Sequence, residues 1–176
     1  MTTAYDPNAG EWTMYAIAAN SGNFKLVKID PATGVDTLVM DLPRPAGPYD
    51  WEGLSLHPNP NMFYGITGSR LYEINRLTSV VTLKGDHNVW ARTEALEIVF
   101  GDDSDAITVP GVPPGWTKDG ALFCFSDGKD QMLVYHPTSG SFELYPCSFR
   151  TVDCEGIVFF TKQRDPYRAI LADVFD

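Results

Sequence analysis

Three copies of one short phrase carry the residues of this chain that could do chemistry. The copies read Trp51-Glu52-Gly53-Leu54, Thr93-Glu94-Ala95-Leu96 and Cys154-Glu155-Gly156-Ile157. Each places a carboxylate before a small residue and an aliphatic residue, and each opens a short apolar run. Carboxylate oxygens are ligands that hard cations such as Ca²⁺ prefer in proteins. The three glutamates are therefore the first candidate site.

The residues behind each phrase alternate short apolar runs with turn formers, which predicts β-strands joined by tight turns. The clearest unit has four predicted strands, at 52–56, 62–67, 70–75 and 80–84. Before it, strands are predicted at 2–5, 14–18, 24–29 and 35–40. After it, they begin at 94 and continue at 121–126, 131–135 and 141–145. Two last strands are predicted at 156–160 and 167–174.

These strands group into repeats at about 1–42, 52–86, 94–147 and 155–176, within one predicted domain that covers 1–176. Four-stranded repeats of roughly 40–50 residues are typical of β-propeller blades. The predicted fold class is therefore all-β, a β-propeller-like array of about three and a half four-stranded antiparallel blades. Propellers close with about four to eight blades. We expect oligomerisation, as a homodimer, to complete the ring; the alternative is a fragment of a longer propeller.

Two stretches of the sequence resemble a known protein family. Lys28-Ile29-Asp30-Pro31-Ala32-Thr33-Gly34, and Phe63-Tyr64-Gly65-Ile66 followed by Leu71-Tyr72-Glu73-Ile74, resemble blades of a bacterial β-propeller repeat superfamily. The glutamate that opens each blade is similar to that of gluconolactonase-type propellers, in which such a glutamate binds the metal at the channel mouth. This resemblance implies a metal site, and only the glutamate of that family's ligand set has a counterpart here.

In a propeller the first strand of each blade lines the central channel, so we expect Glu52, Glu94 and Glu155 to converge at its mouth. Asp50 and Asp153 lie two residues before two of these glutamates and extend the predicted metal site. Carboxylates this close together disfavour joint ionisation unless a cation neutralises them. Ca²⁺ is the cofactor that we predict. In the alternative reading, each glutamate accepts backbone N–H bonds from the next blade and only locks the ring.

An insertion at 101–116 interrupts the third repeat. Its three aspartates lack the glycine and distal glutamate of an EF-hand loop, so we interpret them as a solvated acidic tip. The stretch Val109–Trp116 holds three prolines and predicts a semi-rigid flap over the channel or a partner, or one that packs on its own blade. Trp116 is therefore a candidate ligand-binding residue beside the three glutamates.

The histidine and aromatic side chains can have structural roles as well as chemical ones. His57 and His136 lie in predicted turns, where they match Asp6 and Asp30, and we predict that they are turn formers. His87 precedes one of the glutamate phrases and is a candidate general base. Aromatic residues recur at one position of the second strand, which predicts a core between blades. These are Tyr15, Tyr64, Phe123 and Tyr167.

Composition argues against several classes of protein. A net charge of −10 without a basic stripe argues against nucleic-acid binding. No apolar run approaches the ~18 residues of a membrane span, so no membrane partner is expected, and the residues after Met1 lack the pattern of a signal peptide. The three cysteines lack paired spacing, which predicts reduced thiols and a cytoplasmic location.

The sequence favours a non-catalytic β-propeller module that self-associates and binds a small molecule or a protein at its channel face. The alternative is an enzyme, a Ca²⁺-dependent hydrolase of lactones or esters that uses the acidic channel mouth. A propeller lectin is a second alternative, for which repeated tryptophan pockets are expected. It ranks last because the four tryptophans do not recur at one repeat position.

Overall fold

A computed structural model of the protein describes residues 2–6, 11–57, 59–89, 93, 95–99, 121–125, 131–136 and 139–146. These residues form antiparallel β-strands in three sheets of four, each with its strands in chain order, and they contain no helix. The prediction of an all-β chain is confirmed for this part. None of the described segments is a helix long and apolar enough to cross a membrane.

Each sheet is a meander in which consecutive strands pair. The first sheet comprises β1 (Thr2–Asp6), β2 (Glu11–Asn20), β3 (Asn23–Ile29) and β4 (Asp36–Leu42). The second comprises β5 (Gly53–Leu56), β6 (Met62–Thr67), β7 (Arg70–Asn75) and β8 (Val80–Asp86). The third comprises β9 (Ala95–Val99), β10 (Ala121–Phe125), β11 (Gln131–His136) and β12 (Ser141–Pro146).

Predicted and observed strands agree closely, and the largest difference is in β2. That strand extends to ten residues because it pairs with β1 from Glu11 onward and with β3 as far as Asn20. The strands predicted at 156–160 and 167–174, and the insertion at 101–116, lie outside the described residues.

The turns between the third and fourth strands share one backbone feature in all three sheets. Its last residue has a positive φ: 71° at Gly34, 56° at Ser79 and 70° at Gly140. Side-chain oxygens of Asp30 and Asn75 accept the N–H of the residue two positions later, at 2.8 and 3.0 Å. Such Asx bonds replace the backbone partners that a turn leaves unpaired. The positive φ of Gly34 and the Asx bond of Asp30 show how the Asp-Pro-Ala-Thr-Gly segment forms this turn.

The repeated aromatic position lies at one register in every sheet. Tyr15 pairs with Lys28, Tyr64 with Glu73 and Phe123 with Val134, each partner two residues before the turn. The side chains of Tyr15 and Tyr64 are 1% and 2% exposed. For these two residues the predicted role in the core is confirmed.

Apolar cores fill the spaces between neighbouring sheets. Between the first and second sheets, buried residues of both pack together, and the rings of Tyr15 and Phe63 lie 4.8 Å apart. Between the second and third sheets, Tyr64 and Ile66 pack with Leu133 and Tyr135. The first strand of the second sheet, β5, lies against the first strands of the other two sheets, β1 and β9. The three sheets therefore pack face to face, with their first strands side by side.

Trp51 packs in the core between the first and second sheets, where Gly65 leaves room for its indole ring. An ideal Cβ at Gly65 would lie 2.7 Å from Cζ3 of Trp51 and 2.9 Å from Cδ1 of Ile74. The indole Nε1–H donates to the carbonyl of Pro43 at 3.0 Å, and the ring lies 5.3 Å from that of Tyr72. Trp51 thus ties the connection between the first two sheets to the second sheet.

Gly65→Ala is expected to lower the free energy of unfolding by about 1–3 kcal/mol, because the new methyl group overlaps the indole. In a Trp51→Leu background the same substitution should lose part of its cost, since the overlap with the indole is gone while that with Cδ1 of Ile74 remains. Urea denaturation of the four proteins of this double-mutant cycle measures the coupling. An equal cost of Gly65→Ala in both backgrounds would contradict the proposed contact.

Candidate functional site

The repeated phrases begin neighbouring first strands. Leu54 pairs with Gly65 in the second sheet, and Leu96 pairs with Cys124 in the third. An ideal Cβ at Gly53 would lie 2.9 Å from Cβ of Leu96, so the starts of β5 and β9 are in van der Waals contact. Two of the three phrases therefore occupy equivalent positions side by side, and the third phrase lies outside the described residues.

Glu52 stands directly before β5, at the end of the sheets where the connections between them lie. Its backbone N–H donates to the carbonyl of Ile66 at 2.9 Å, which extends the β5–β6 ladder by one bond. Its side chain is half-buried, and Asp50 is exposed two residues earlier. Among the residues that the structure describes, no three His, Cys, Asp or Glu side chains are grouped as metal ligands.

The other predicted site residues lie outside the described part of the chain. They are Glu94, Glu155, Asp153 and Trp116. Their convergence on a channel mouth, and the predicted binding of Ca²⁺ there, therefore remain predictions. What the structure adds is that the backbone directly after Glu52 contacts the start of the strand that follows Glu94 in the chain.

Asp86 organises the same end of the second sheet, although no motif in the sequence indicates this role. Its carboxylate accepts the hydroxyl of Ser69 at 2.5 Å, Nε–H of Arg70 at 3.1 Å and the N–H of Asn88 at 3.2 Å. These bonds, led by that from Ser69, hold the pKa of Asp86 below its usual range. Asp86 is therefore ionised at neutral pH and joins a hairpin to the connection that leaves the sheet.

His87 is buried beside Asp86 with both ring nitrogens engaged. Nδ1 accepts the N–H of Val89 at 3.1 Å, and Nε2 lies 3.0 Å from Oγ1 of the buried Thr93. Burial lowers the pKa of His87 to about 4, against a smaller opposing effect of Asp86. The ring is therefore neutral at pH 7. Because its basic nitrogen already accepts a backbone proton, the geometry favours a structural role over that of a general base.

A second polar cluster lies between the second and third sheets, centred on Glu73. Its Oε1 lies 3.1 Å from Nζ of Lys84 and 3.5 Å from Nε2 of His57. The nearby hydroxyls of Tyr64 and Tyr135 have raised pKa values, mainly because both are buried, with Glu73 contributing. Both tyrosines are therefore protonated at neutral pH. The cluster holds one ion pair surrounded by neutral groups.

The predicted role of His57 as a turn former is confirmed, and its contact with Glu73 was not foreseen. Nδ1 of His57 accepts the N–H of Asn59 at 2.9 Å, which imitates an Asx turn. Burial lowers the pKa of His57, and Glu73 partly offsets this. The sequence signal that could have revealed the cluster is a glutamate in the middle of an otherwise apolar pair of strands, opposite Tyr64.

Cys124 is a packed thiol in the same core. Its side chain is fully buried and unpaired by any disulfide, and burial raises its pKa. A thiol with a raised pKa holds little thiolate and is a poor nucleophile. The prediction of a packed, reduced cysteine is therefore confirmed for Cys124, while Cys147 and Cys154 lie outside the described residues.

No protein-family model matches the chain, and a search among curated proteins gives no match either. The propeller resemblance therefore depends on the sequence alone and stays a prediction.

Glu73→Gln is expected to lower the pKa of His57 further, because it removes the negative charge that favours the imidazolium form. NMR titration of the histidine ring protons measures this shift. Glu143→Gln is the matched control, since Glu143 lies 3.9 Å from Nε2 of His136 in the third sheet. A His57 pKa that is unchanged in Glu73→Gln would show that the two groups do not interact.

Proposed function

We propose that the chain is a non-catalytic β-propeller-like module that binds a ligand or a protein at the face carrying Glu52 and self-associates to complete a ring. The observation that carries this proposal is the serial packing of three four-stranded meanders with adjacent first strands. Sheets of a sandwich pair in twos, whereas propeller blades follow one another around an axis on which their first strands converge.

Ring completion is proposed from the way in which the described sheets pack. The second sheet uses both of its faces, one against each neighbour. Each terminal sheet of such an array needs a further partner for its other face, because unpaired apolar faces and strand edges promote aggregation. A second copy of the chain supplies the remaining blades in this proposal.

The hydrogen bonds, ion pairs and burial of the described titratable groups favour a binding role over catalysis. Asp86 and His87 hold connections in place, and Glu73 is paired with Lys84. Cys124 is sealed in a core. Among the described residues, Glu52 differs from these groups in its position. It directly precedes the first strand of the second sheet, at the end where the connections between the sheets lie. It is the described member of the predicted ligand-binding set.

A Ca²⁺-dependent lactone or ester hydrolase is the second candidate. It is favoured by the contact between Gly53 and Leu96, which brings the strands after Glu52 and Glu94 together at their starts. Two carboxylates at such a point would attract a hard cation. A bound Ca²⁺ would polarise the ester carbonyl as a Lewis acid.

Light scattering with size-exclusion chromatography tests the assembly. We expect the mass of two chains, each of 19.5 kDa, at micromolar concentration. Treatment with EDTA should leave this mass unchanged if apolar blade packing joins the chains, and should lower it if a cation does. A single-chain mass in both buffers would overturn the proposed ring completion.

Thermal melting with added Ca²⁺ tests the carboxylate site. At about 100 times its dissociation constant, a bound ion should raise the melting temperature by roughly 5–10 °C. Glu52→Gln should abolish this rise, whereas Asp41→Asn, at an exposed position of β4, should retain it. Turnover of model esters that is lost in Glu94→Gln would replace the binding role with the hydrolase.

A further inference from the structure

The first sheet has a second apolar face, on the side away from the second sheet. Tyr15 packs against the second sheet, and side chains alternate along a strand, so Met14 and Ala16 point to the other side. Their partners in β3, Ile29 and Val27, lie on that same side, as do all residues paired across antiparallel strands. We call this side the Met14 face. With the residue of β4 that pairs with Val27, it comprises Met14, Ala16, Val27, Ile29 and Leu38.

The same repeat positions form contacts between sheets elsewhere in the molecule. Counted from the buried aromatic position and from the turn residue with positive φ, the counterparts of the Met14 face are Phe63, Gly65, Tyr72, Ile74 and Leu83 in the second sheet, and Cys124, Leu133, Tyr135 and Leu144 in the third. Phe63 and Ile74 pack with residues of the first sheet, and Leu133 and Tyr135 with residues of the second. The Met14 face therefore has the position and the apolar character of two faces that pack on a neighbouring sheet.

Burial distinguishes the Met14 face from these counterparts. Phe63 and Ile74 are 0% exposed where they pack against the first sheet. At the equivalent positions of the first sheet, Met14 and Ile29 are partly exposed, and of this face only Val27 is buried. Apolar side chains of the Met14 face are therefore accessible to a partner.

The contact between the first and second sheets shows what such a partner must present. The ring of Tyr15 lies 4.8 Å from that of Phe63, which is the counterpart of Met14. The aromatic position of Tyr15 recurs at Tyr64 in the second sheet and at Phe123 in the third. Because methionine packs well against aromatic rings, Met14 suits a contact with this repeated aromatic position in a second copy of the chain.

We propose that the Met14 face of one copy packs against the far end of a second copy's array of sheets, the end away from that copy's own first sheet. This inference rests on the self-association proposed above, and it identifies the surface of the first sheet that takes part. Because the two surfaces differ, the contact is head-to-tail, and two copies that make it twice close a ring. Each copy has a net charge of −10, so the copies repel each other and added salt strengthens their apolar contact.

Leu38 and Leu83 provide a matched pair for the test, since both are 52% exposed at the same repeat position of different sheets. Leu38→Glu is expected to raise the dissociation constant of the two-chain assembly about 10-fold, because it places a charge at the rim of an apolar contact. Ala16→Glu, in the middle of the face, should raise it at least about 100-fold. Leu83→Glu should leave it unchanged. Sedimentation equilibrium measures the constants, and thermal melting checks that each variant is folded.

The wild-type mass distinguishes failure of this face from failure of self-association. A two-chain mass that persists unchanged in Leu38→Glu and in Ala16→Glu would overturn the proposed face and leave self-association in place. A single-chain mass of the wild type would overturn both. If Ala16→Glu does not fold, the comparison of Leu38→Glu with Leu83→Glu decides the question. An assembly that added salt weakens would contradict an apolar contact.

A photo-crosslinker identifies the part of the second copy that lies on the Met14 face. With p-benzoylphenylalanine in place of Leu38, irradiation is expected to join two chains, and peptide mapping should place the new bond within residues 121–176 of the second copy. The same group in place of Leu83 should form no bond between chains. A bond to residues 2–42 of the second copy would show that two first sheets meet, and it would overturn the head-to-tail contact.

Discussion

The face-to-face packing of four-stranded sheets is the constraint on which the rest of this structure depends. We call the contact between two neighbouring sheets a seam. At each seam a buried tyrosine of one sheet, Tyr15 or Tyr64, packs against apolar residues of the next. Other large rings also need space between the sheets. Gly65 leaves this space for Trp51, and Gly85 leaves it for Phe142. Because packing in a protein core is nearly as dense as in a crystal, these large and small residues are coupled across the seams.

Several polar groups of the described residues lie between the sheets beside partners, and these surroundings determine their chemistry. Arg76 lies over the ring of Tyr15, with its Cζ 5.5 Å from the ring centroid, and donates to the tyrosine hydroxyl. Glu73 is paired with Lys84 at the next seam. His87 is held neutral by burial. Because an unpaired buried charge is costly, the seams contain ion pairs, neutral rings and protonated tyrosines.

The candidate site was predictable in part. Repeated wording predicts that the phrases at 51–54 and 93–96 are equivalent, and the register of Leu54 and Leu96 agrees with this prediction. The roles of Asp86 and Glu73 could not be read in the same way. Their partners are up to 17 residues away in the chain, and a bulge in the β7–β8 ladder leaves Lys84 as an extra residue on β8. The bulge interrupts the alternation of side chains between faces on which a sequence pattern depends.

The sequence by itself determined the strands and turns. Their causes are local: Pro31 and Gly34 set a turn within five residues, and alternating apolar side chains define strands of about six residues. Tertiary structure alone decided which sheet faces meet and how far the pKa of His87 falls. Both depend on packing between distant segments, such as the contact of the His87 ring with that of Phe142. Desolvation exists only once distant segments have packed, so no local pattern of residues encodes it.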